Sequence, residues 1–367
     1  MLFKLISFFY LVEADTEFNL VREDVSVSCR CGVWNLVLVL GTLSISEPDR
    51  HIDHLMGAFN LTPSVPSTFI LMGIPGLEAA QLWISIPFTL SYFIGLLGNV
   101  MVLFVVGKEQ TMYKPMYLLL CMLALTDIGI STSVVPKSLG IFWFKLKAIT
   151  VNGCLTQTFF LHTFVAIQSA VLVTMAFDRY VAICNPLRYA TILTNTRIAK
   201  LGFLGLTRAV LFMLPGPLLL RRLPYCGNHI IPHTYCEHIA VAKISCGDIT
   251  FHKTYGLVIT FVVNGLDFML IVLSYGLIIR AVLRISSKKA HQKALNTCTA
   301  HICVMLTFYA SCLFSSLTHR FGQGIATHVH IILANLYSLA PPMLNPIIYG
   351  VKTKELREKL GKYIWGH

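Results

Sequence analysis

Seven long apolar runs constrain this chain more than any other feature of its sequence. They cover residues 82–107, 115–139, 154–177, 201–220, 254–279, 294–319 and 328–351. Each run reaches roughly 20 residues, the length that a helix needs to cross about 30 Å of hydrocarbon. Backbone polar groups in lipid must be satisfied within their own segment, so runs of this length form helices. The sequence therefore predicts an all-α membrane protein with a seven-transmembrane helix bundle over residues 82–351.

Composition and charge place the chain in the membrane and orient it there. Only 13% of its residues are charged and 55% are hydrophobic, whereas soluble domains are about 25% charged. If the N-terminus lies outside, the cytoplasmic connections and tail carry about twice as many lysines and arginines as the outer connections. This bias follows the positive-inside rule, so we expect an outer N-terminus and a cytosolic C-terminus. The net charge of +12 is thus a topology signal, and no concentrated basic domain indicates nucleic-acid binding.

Four cysteines fall on the predicted outer side, where they permit two disulfide bonds in three connectivities. Cys154 begins the third run, and Cys226, Cys236 and Cys246 lie in the loop after the fourth. The oxidising outer face favours bonding between them. We expect a Cys154–Cys236 bond that ties the long loop to the bundle, and a Cys226–Cys246 bond that closes a smaller loop around it.

The two ends of the chain differ from the bundle. Residues 1–55 are rich in acidic side chains, and their two short apolar runs are too short to span. We expect an atypical extension, disordered or not used: either a weak signal peptide or, as we favour, sequence upstream of a usual start at Met56. Residues 56–81 are the expected extracellular N-terminus, with a glycosylation acceptor at Asn60. Residues 352–367 are predicted to form a cytoplasmic amphipathic helix and tail, lying on membrane lipid.

Several short motifs carry a family resemblance. They are "PMYLLLCMLALTD" (115–127), "MAFDRYVAICNPLRY" (175–189), "SYGLIIRAVLRI" (274–285), "KALNTCTAHI" (293–302) and "PPMLNPIIYGVKTKELR" (341–357). Together, in this order, they resemble an olfactory receptor of the rhodopsin-like G-protein-coupled superfamily. "GIPGLE" (73–78) and "HRFG" (319–322) are similar to the class I, or fish-like, branch. The resemblance covers about residues 60–360.

This resemblance implies an odorant receptor of the plasma membrane, expected in the cilia of olfactory neurons, that activates the stimulatory olfactory G protein and raises cyclic AMP. In the family the triplet Asp178, Arg179 and Tyr180 faces the G protein. Asp178 would neutralise Arg179 at rest, and an outward movement of the sixth helix would free it. Tyr275 and Tyr349 are assigned to the same activation step. Taken alone, Arg179 is equally well explained as a boundary arginine that reaches the lipid headgroups.

A polar cluster is expected inside the membrane. Asn99, Asp127 and Asn345 match the family's central cluster, which links the first, second and seventh helices and often holds a sodium ion. Gln168 replaces the family's glutamate in the third helix and removes a negative charge, which argues against sodium here. We therefore expect no cofactor. Arg208 and Asp267 are expected to be structural, each satisfied by neighbouring polar groups.

The ligand site is expected in the outer half, between the third, fifth and sixth helices and beneath the long loop. Its candidate residues are Arg320, His162, Ser316 and His238, with an apolar lining that includes Leu161, Val165, Ala166, Phe261 and Tyr309. One cation above an apolar cavity suits a carboxylate, because arginine pairs with it through two hydrogen bonds. The class I resemblance implies the same ligands, carboxylic acids prominent among them. The competing interpretations are a headgroup anchor for Arg320 and a packing role for His162.

Other classes of protein fit less well. The sequence contains no GxSxG and no HExxH motif, so an enzyme is disfavoured. It shows neither the internal repeats nor the further helices that a transporter would usually have. The alternative that stays open is a receptor for an endogenous small metabolite outside the olfactory epithelium, since its pocket would be the same.

Overall fold

The computed structural model describes residues 67–284, 288–321 and 326–365, and seven of its helices match the seven apolar runs. These are α1 (Gln81–Lys108), α2 (Pro115–Phe144), α3 (Val151–Cys184), α4 (Asn195–Arg221), α5 (Thr250–Val282), α6 (Lys288–Phe321) and α7 (Thr327–Lys352). Each contains a window apolar and long enough to cross a membrane. The predicted fold class is confirmed. The predictions for residues 1–55 and for Asn60 lie outside the described residues.

Prolines and one wide turn interrupt the regular helices. Residue Leu214 breaks α4 just before Pro215, where proline removes a backbone donor. In α5 the segment Phe261–Gly265 forms a turn of π-helix, a local widening that is frequent at functional sites. Pro341, Pro342 and Pro346 lie inside α7, so this helix can kink without unfolding.

Helix α3 is the centre of the bundle and packs against α2, α4 and α5. A glycine allows one of these close approaches. A Cβ atom at Gly129 of α2 would lie 2.6 Å from the Phe164 ring of α3. Any larger residue at 129 would therefore force α2 and α3 apart. Because α3 touches so many neighbours, its polar residues can connect helices that do not touch one another.

A small sheet, too short to predict from sequence, covers part of the outer end. The central strand β1 (Thr68–Leu71) pairs antiparallel with β2 (Ala148–Thr150) and parallel with β3 (Ile230–Ile231). Three residues of its strands, Phe69, Leu71 and Ile231, are fully buried. The sheet therefore fastens the segment before α1 to the outer loops.

Two disulfide bonds complete the outer end, with the pairing expected from the sequence. Cys154 is bonded to Cys236, with 5.4 Å between their Cα atoms, and Cys226 is bonded to Cys246, with 6.1 Å. The backbone of Cys236 is also held to α3: its N–H donates to Gln157 Oε1 at 2.9 Å, and its carbonyl accepts from the Thr158 hydroxyl at 3.0 Å. The long loop is thus fixed above α3 by covalent and polar bonds together.

The amphipathic helix expected after α7 is present as α8 (Lys354–Trp365). Glu109, in the loop after α1, accepts hydrogen bonds from Lys359 Nζ at 2.5 Å and from the Tyr363 hydroxyl at 3.1 Å. These bonds help to lower the pKa of the Glu109 carboxyl. Leu356 is fully buried. Helix α8 is therefore held to the cytoplasmic end of the bundle by the ion pair between Lys359 and Glu109 and by the buried side chain of Leu356.

Candidate functional site

A cavity of about 180 Å³ lies in the outer half of the bundle, bounded by α3, α4, α5, α6 and α7 and by the loop after α4. His162, Val165 and His238, all expected at the ligand site, line it, as do Leu161 and Ala166. A small and mainly apolar space with a few polar groups is typical of a small-molecule site. The structure thus brings most of the described candidate residues together around one space.

His238 is the first residue of a short helix, His238–Lys243, in the loop that roofs the cavity. Glu237 caps this helix, since its Oε2 accepts the Ala240 N–H at 2.7 Å. The His238 ring is buried, with its centroid 5.6 Å from that of His252. Burial lowers the pKa of His238 to about 4, Glu237 opposes this shift, and His162 and His252 add to it. His238 is therefore a neutral imidazole at neutral pH.

Two of the expected lining residues lie elsewhere. Phe261 is 69% exposed on the outer surface of α5. Tyr309 is buried but is absent from the cavity wall, and its neighbour Phe308 lines the cavity instead. One residue along a helix is a rotation of about 100°, so a placement one position off turns the side chain toward a different neighbour. The side chains of Ser316 and Arg320 lie outside the described residues.

Tyr309 belongs to a polar network that the sequence did not predict. Arg208 of α4 and Asp267 of α5 form a two-point ion pair, with N–O distances of 2.7 and 2.6 Å. The Ser169 hydroxyl of α3 donates to the same carboxylate at 2.7 Å and lies 2.9 Å from the Tyr309 hydroxyl of α6. Four helices therefore meet at one buried carboxylate. Arg208 and Asp267 were each expected to be satisfied by neighbouring polar groups, and the structure pairs them with one another.

Asp127 is the centre of a second polar cluster, which contains two of the residues predicted beside it, Gln168 and Asn345, but not Asn99. Its oxygens accept hydrogen bonds from Gln168 Nε2 at 2.6 Å and from Asn345 Nδ2 at 2.9 Å. Asn99 donates separately to the Pro342 carbonyl at 2.9 Å, which joins α1 to α7. Among the described residues, no group of three or more His, Cys, Asp and Glu side chains is placed to hold a metal ion.

The acid and base of the Asp-Arg-Tyr triplet are paired at the cytoplasmic end of α3. Arg179 donates from Nε to Asp178 Oδ2 at 2.8 Å, and its terminal nitrogen pairs with the same oxygen. The other Asp178 oxygen accepts the Tyr189 hydroxyl at 2.7 Å. Both groups are buried. Because Arg179 pairs with the Asp178 carboxylate, its charge is neutralised in this state.

Two of the other expected switch residues lie on neighbouring helices, and Tyr180 follows the pair on α3 itself. Tyr275 of α5 and Tyr349 of α7 are buried, whereas Tyr180 is half-buried and stacks on Phe177. The Tyr349 hydroxyl lies 3.4 Å from Nδ1 of His301 in α6. His301 and Tyr189 were not singled out from the sequence as switch residues. Each lies within a quoted motif, and the motif itself was the signal that could have indicated them.

The cavity wall also contains polar residues that sequence reasoning missed. Asn264 lies in the π-helical turn of α5, and Gln168, assigned to the polar cluster alone, reaches the same cavity. An asparagine in an apolar membrane run is a detectable signal, because polar residues there usually have a functional role. The cavity therefore has polar groups at its deep end as well as beneath the loop.

The comparisons with known proteins agree with this architecture. The family model described as "Olfactory receptor" matches residues 88–365. The human proteins olfactory receptor 52D1 and olfactory receptor 52P1 are 50% and 51% identical to this chain; each match covers 82% of the chain, and 95% and 94% of those proteins. The crystal structure of squid rhodopsin superposes with a TM-score of 0.65 at 16% identity, over 80% of this chain and 87% of that one.

The fold is a bundle of seven membrane-spanning helices, similar to that of squid rhodopsin. The chain belongs to the olfactory receptor family, which confirms the resemblance found in its sequence. It is a multi-pass membrane receptor and not an enzyme. Membership implies a small-molecule ligand and coupling to a G protein.

Proposed function

We propose that this receptor binds small organic odorants, carboxylic acids foremost, and activates the stimulatory olfactory G protein to raise cyclic AMP in the cilia of olfactory neurons. The observation that carries the proposal is the cavity beneath the disulfide-bonded loop, which His162, Val165 and His238 line together. Its wall is mainly apolar, and it lies in the same bundle as the paired Asp178 and Arg179. Ligand binding at one end can therefore act on a switch at the other.

Arg320 is proposed to bind the acid head of the ligand, with Ser316 one helical turn away from it. His238, in the loop that roofs the cavity, is neutral and cannot supply a positive charge at neutral pH. The described part of the cavity wall contains no lysine or arginine. The counter-charge for a carboxylate is therefore assigned to Arg320. Arginine suits this role because its planar fork forms two charge-assisted hydrogen bonds.

The receptor is proposed to work without a bound sodium ion. A hard cation needs oxygen ligands, whereas the amide N–H groups of Gln168 and Asn345 point at the Asp127 carboxylate. Their partial positive charges occupy the side of Asp127 that a cation would take. This arrangement supports the proposal that the cluster holds no sodium ion.

The experiment compares an aliphatic acid with its same-length alcohol and methyl ester on wild type, Arg320→Ala and Arg320→Lys, with surface expression matched. For the acid, alanine should cost about 2–5 kcal/mol, roughly thirtyfold or more in effective concentration. Lysine should rescue only in part, because it keeps the charge but loses the planar fork. Equal losses for the acid and its neutral analogues would show that Arg320 is a headgroup anchor and would refute the acid assignment.

A further inference from the structure

Two amide oxygens at the deep end of the cavity have no hydrogen-bond partner among the described residues: Gln168 Oε1 and Asn264 Oδ1. Gln168 is fully buried. Its amide orientation is fixed, because the N–H₂ group donates to Asp127 and the oxygen is left to face away. A buried acceptor without a donor is costly, and such groups are nearly always satisfied in a working protein.

These oxygens are far from the loop that roofs the cavity. Gln168 lies six residues further along α3 than His162, about 9 Å deeper in the membrane. Asn264 lies nine residues further along α5 than Tyr255, about 13 Å deeper, and the Tyr255 ring is 6.3 Å from that of His238. The cavity is therefore elongated, with polar groups at both ends.

The wall between the two ends is mainly apolar. Val165 and Ile259 line this middle part, and the hydroxyl of Thr260 already donates to the Gly256 carbonyl of its own helix at 2.7 Å. A purely apolar chain would fill the middle of the cavity but would leave both amide oxygens unsatisfied. A chain with a hydroxyl group at its far end would satisfy one of them with its single O–H donor.

We propose that the deep end of the cavity binds a hydroxyl group of the ligand, which donates its one proton to an amide oxygen there, Asn264 Oδ1 first and Gln168 Oε1 as the alternative acceptor. The ligand class is then a straight-chain compound with polar groups at both ends, an acid with a terminal hydroxyl foremost. This inference rests on the proposed function for the ligand's outer end only. Gln168 also donates to Asp127, so a ligand that bonds to Gln168 is connected through one side chain to the polar cluster of α2 and α7.

The experiment measures ligand-induced thermal stabilisation of the purified full-length receptor, which reports binding without a G protein. A series of straight-chain acids is used, each paired with the acid of the same length that carries a terminal hydroxyl. At the matching length the hydroxy acid should bind wild type about tenfold more tightly, the value of one hydrogen bond. Asn264→Leu, similar in size, should abolish this preference, and Gln168→Met should reduce it.

Thr260→Val is the matched control, because it removes a hydroxyl from the same wall that is already bonded within α5. It should leave the preference for the hydroxy acid as in wild type. A plain acid that binds as tightly as its hydroxy partner at every length would show that water satisfies the deep end, and would overturn the inference. Persistence of the preference in Asn264→Leu would overturn it equally, as would a complete lack of stabilisation by any hydroxy acid.

Two further results separate this inference from the proposed function. If the hydroxy acids stabilise the receptor but raise no cyclic AMP, the proposed coupling is wrong and the hydroxyl site stands. If a diol of the same length binds as tightly as the hydroxy acid, the acid head is wrong and the hydroxyl site again stands. Both results support the deep hydroxyl site while contradicting a different part of the proposed function.

Discussion

The outer and cytoplasmic ends of this receptor are stabilised by different kinds of bond. At the outer end, Cys236 is held to α3 by a disulfide bond and by hydrogen bonds from both of its backbone groups. At the cytoplasmic end, Asp178 and Arg179 are joined only by charge and hydrogen bonds, and so are Glu109 and Lys359. A disulfide does not exchange partners during signalling, whereas an ion pair can. The outer end therefore keeps the cavity in one shape, and the cytoplasmic end can rearrange.

Between the two ends lies the network of Arg208, Asp267, Ser169 and Tyr309. It is made of the same reversible bonds as the cytoplasmic end but is buried in the middle of the bundle. Phe308, beside Tyr309, lines the cavity. A ligand that moves Phe308 thus acts directly on the bond between α6 and α3. The network therefore lies between the disulfide-bonded outer end and the cytoplasmic end, whose ion pairs can rearrange.

The largest effect is expected from breaking this middle network. Asp267→Leu leaves the Arg208 charge unpaired within the membrane and should cost about 3–5 kcal/mol. The measurement is the thermal stability of the purified receptor, together with its surface level. The control is the double variant Arg208→Leu with Asp267→Leu, which removes both charges and should recover much of the loss. A double variant as unstable as Asp267→Leu would show that the carboxylate acts through Ser169 and not through the ion pair.

Removing the outer disulfide should have the next largest effect. Cys154→Ser or Cys236→Ser should cost about 2–4 kcal/mol and block maturation. The double variant should be little worse than either single one, because all three lack the same bond. Mature receptor is quantified at the cell surface. Additive losses, or a mass-spectrometric map that pairs Cys154 with Cys226 or Cys246, would contradict the account of the outer end.

Acid should weaken the outer end through His238. Its pKa is lowered from 6.5 to about 4 in the folded protein, so the unfolded state binds the proton more tightly and stability falls as the pH drops through this range. The loss should reach about 1 kcal/mol near pH 5.5. His238→Gln should flatten the pH dependence of thermal stability, while His229→Gln, exposed in the same loop, should not. His162 and His252 face His238, so variants of both test whether the dependence belongs to His238 alone.

The smallest effect is expected where α8 meets α2. The Tyr117 hydroxyl donates to Glu355 Oε2 at 2.7 Å, so Tyr117→Phe should cost about 0.5–1 kcal/mol. Tyr113→Phe is the matched control, because Tyr113 is half-exposed and its hydroxyl makes only a long hydrogen bond, 3.3 Å, to the Gly107 carbonyl. Thermal stability of the two variants is compared side by side. A loss in Tyr117→Phe as large as that in Cys154→Ser would remove the distinction between the two ends.

Features that depend on neighbouring residues in the chain could be predicted from the sequence. Contacts between residues far apart in the chain could not. The seven helices follow from hydropathy alone, and Asp178 and Arg179 are adjacent in the chain, so their pairing needs no knowledge of the packing. Arg208 and Asp267 are far apart in the chain, and only the side-by-side packing of α4 and α5 brings them together.

The cavity was predictable in location but not in detail. The expected Cys154–Cys236 bond holds the loop with His238 over α3, which carries His162. Both histidines could therefore be expected beside the cavity that they line. Tyr309 was expected in the cavity wall, but its neighbour Phe308 lies there. Hydropathy cannot tell which of the two side chains faces the cavity, since both residues are aromatic and buried. The role of Asn264 depends on the π-helical turn, which changes the direction of side chains in α5 and has no clear sequence signature.

The most direct test of the account separates binding from signalling in one variant. Arg179→Ala removes the group proposed to meet the G protein and lies at the opposite end of α3 from the cavity. With surface expression matched to wild type, it should keep ligand-induced thermal stabilisation and lose ligand-dependent cyclic AMP entirely. Normal cyclic AMP signalling by Arg179→Ala at a normal surface level would contradict the account, and so would loss of ligand binding in the correctly folded variant.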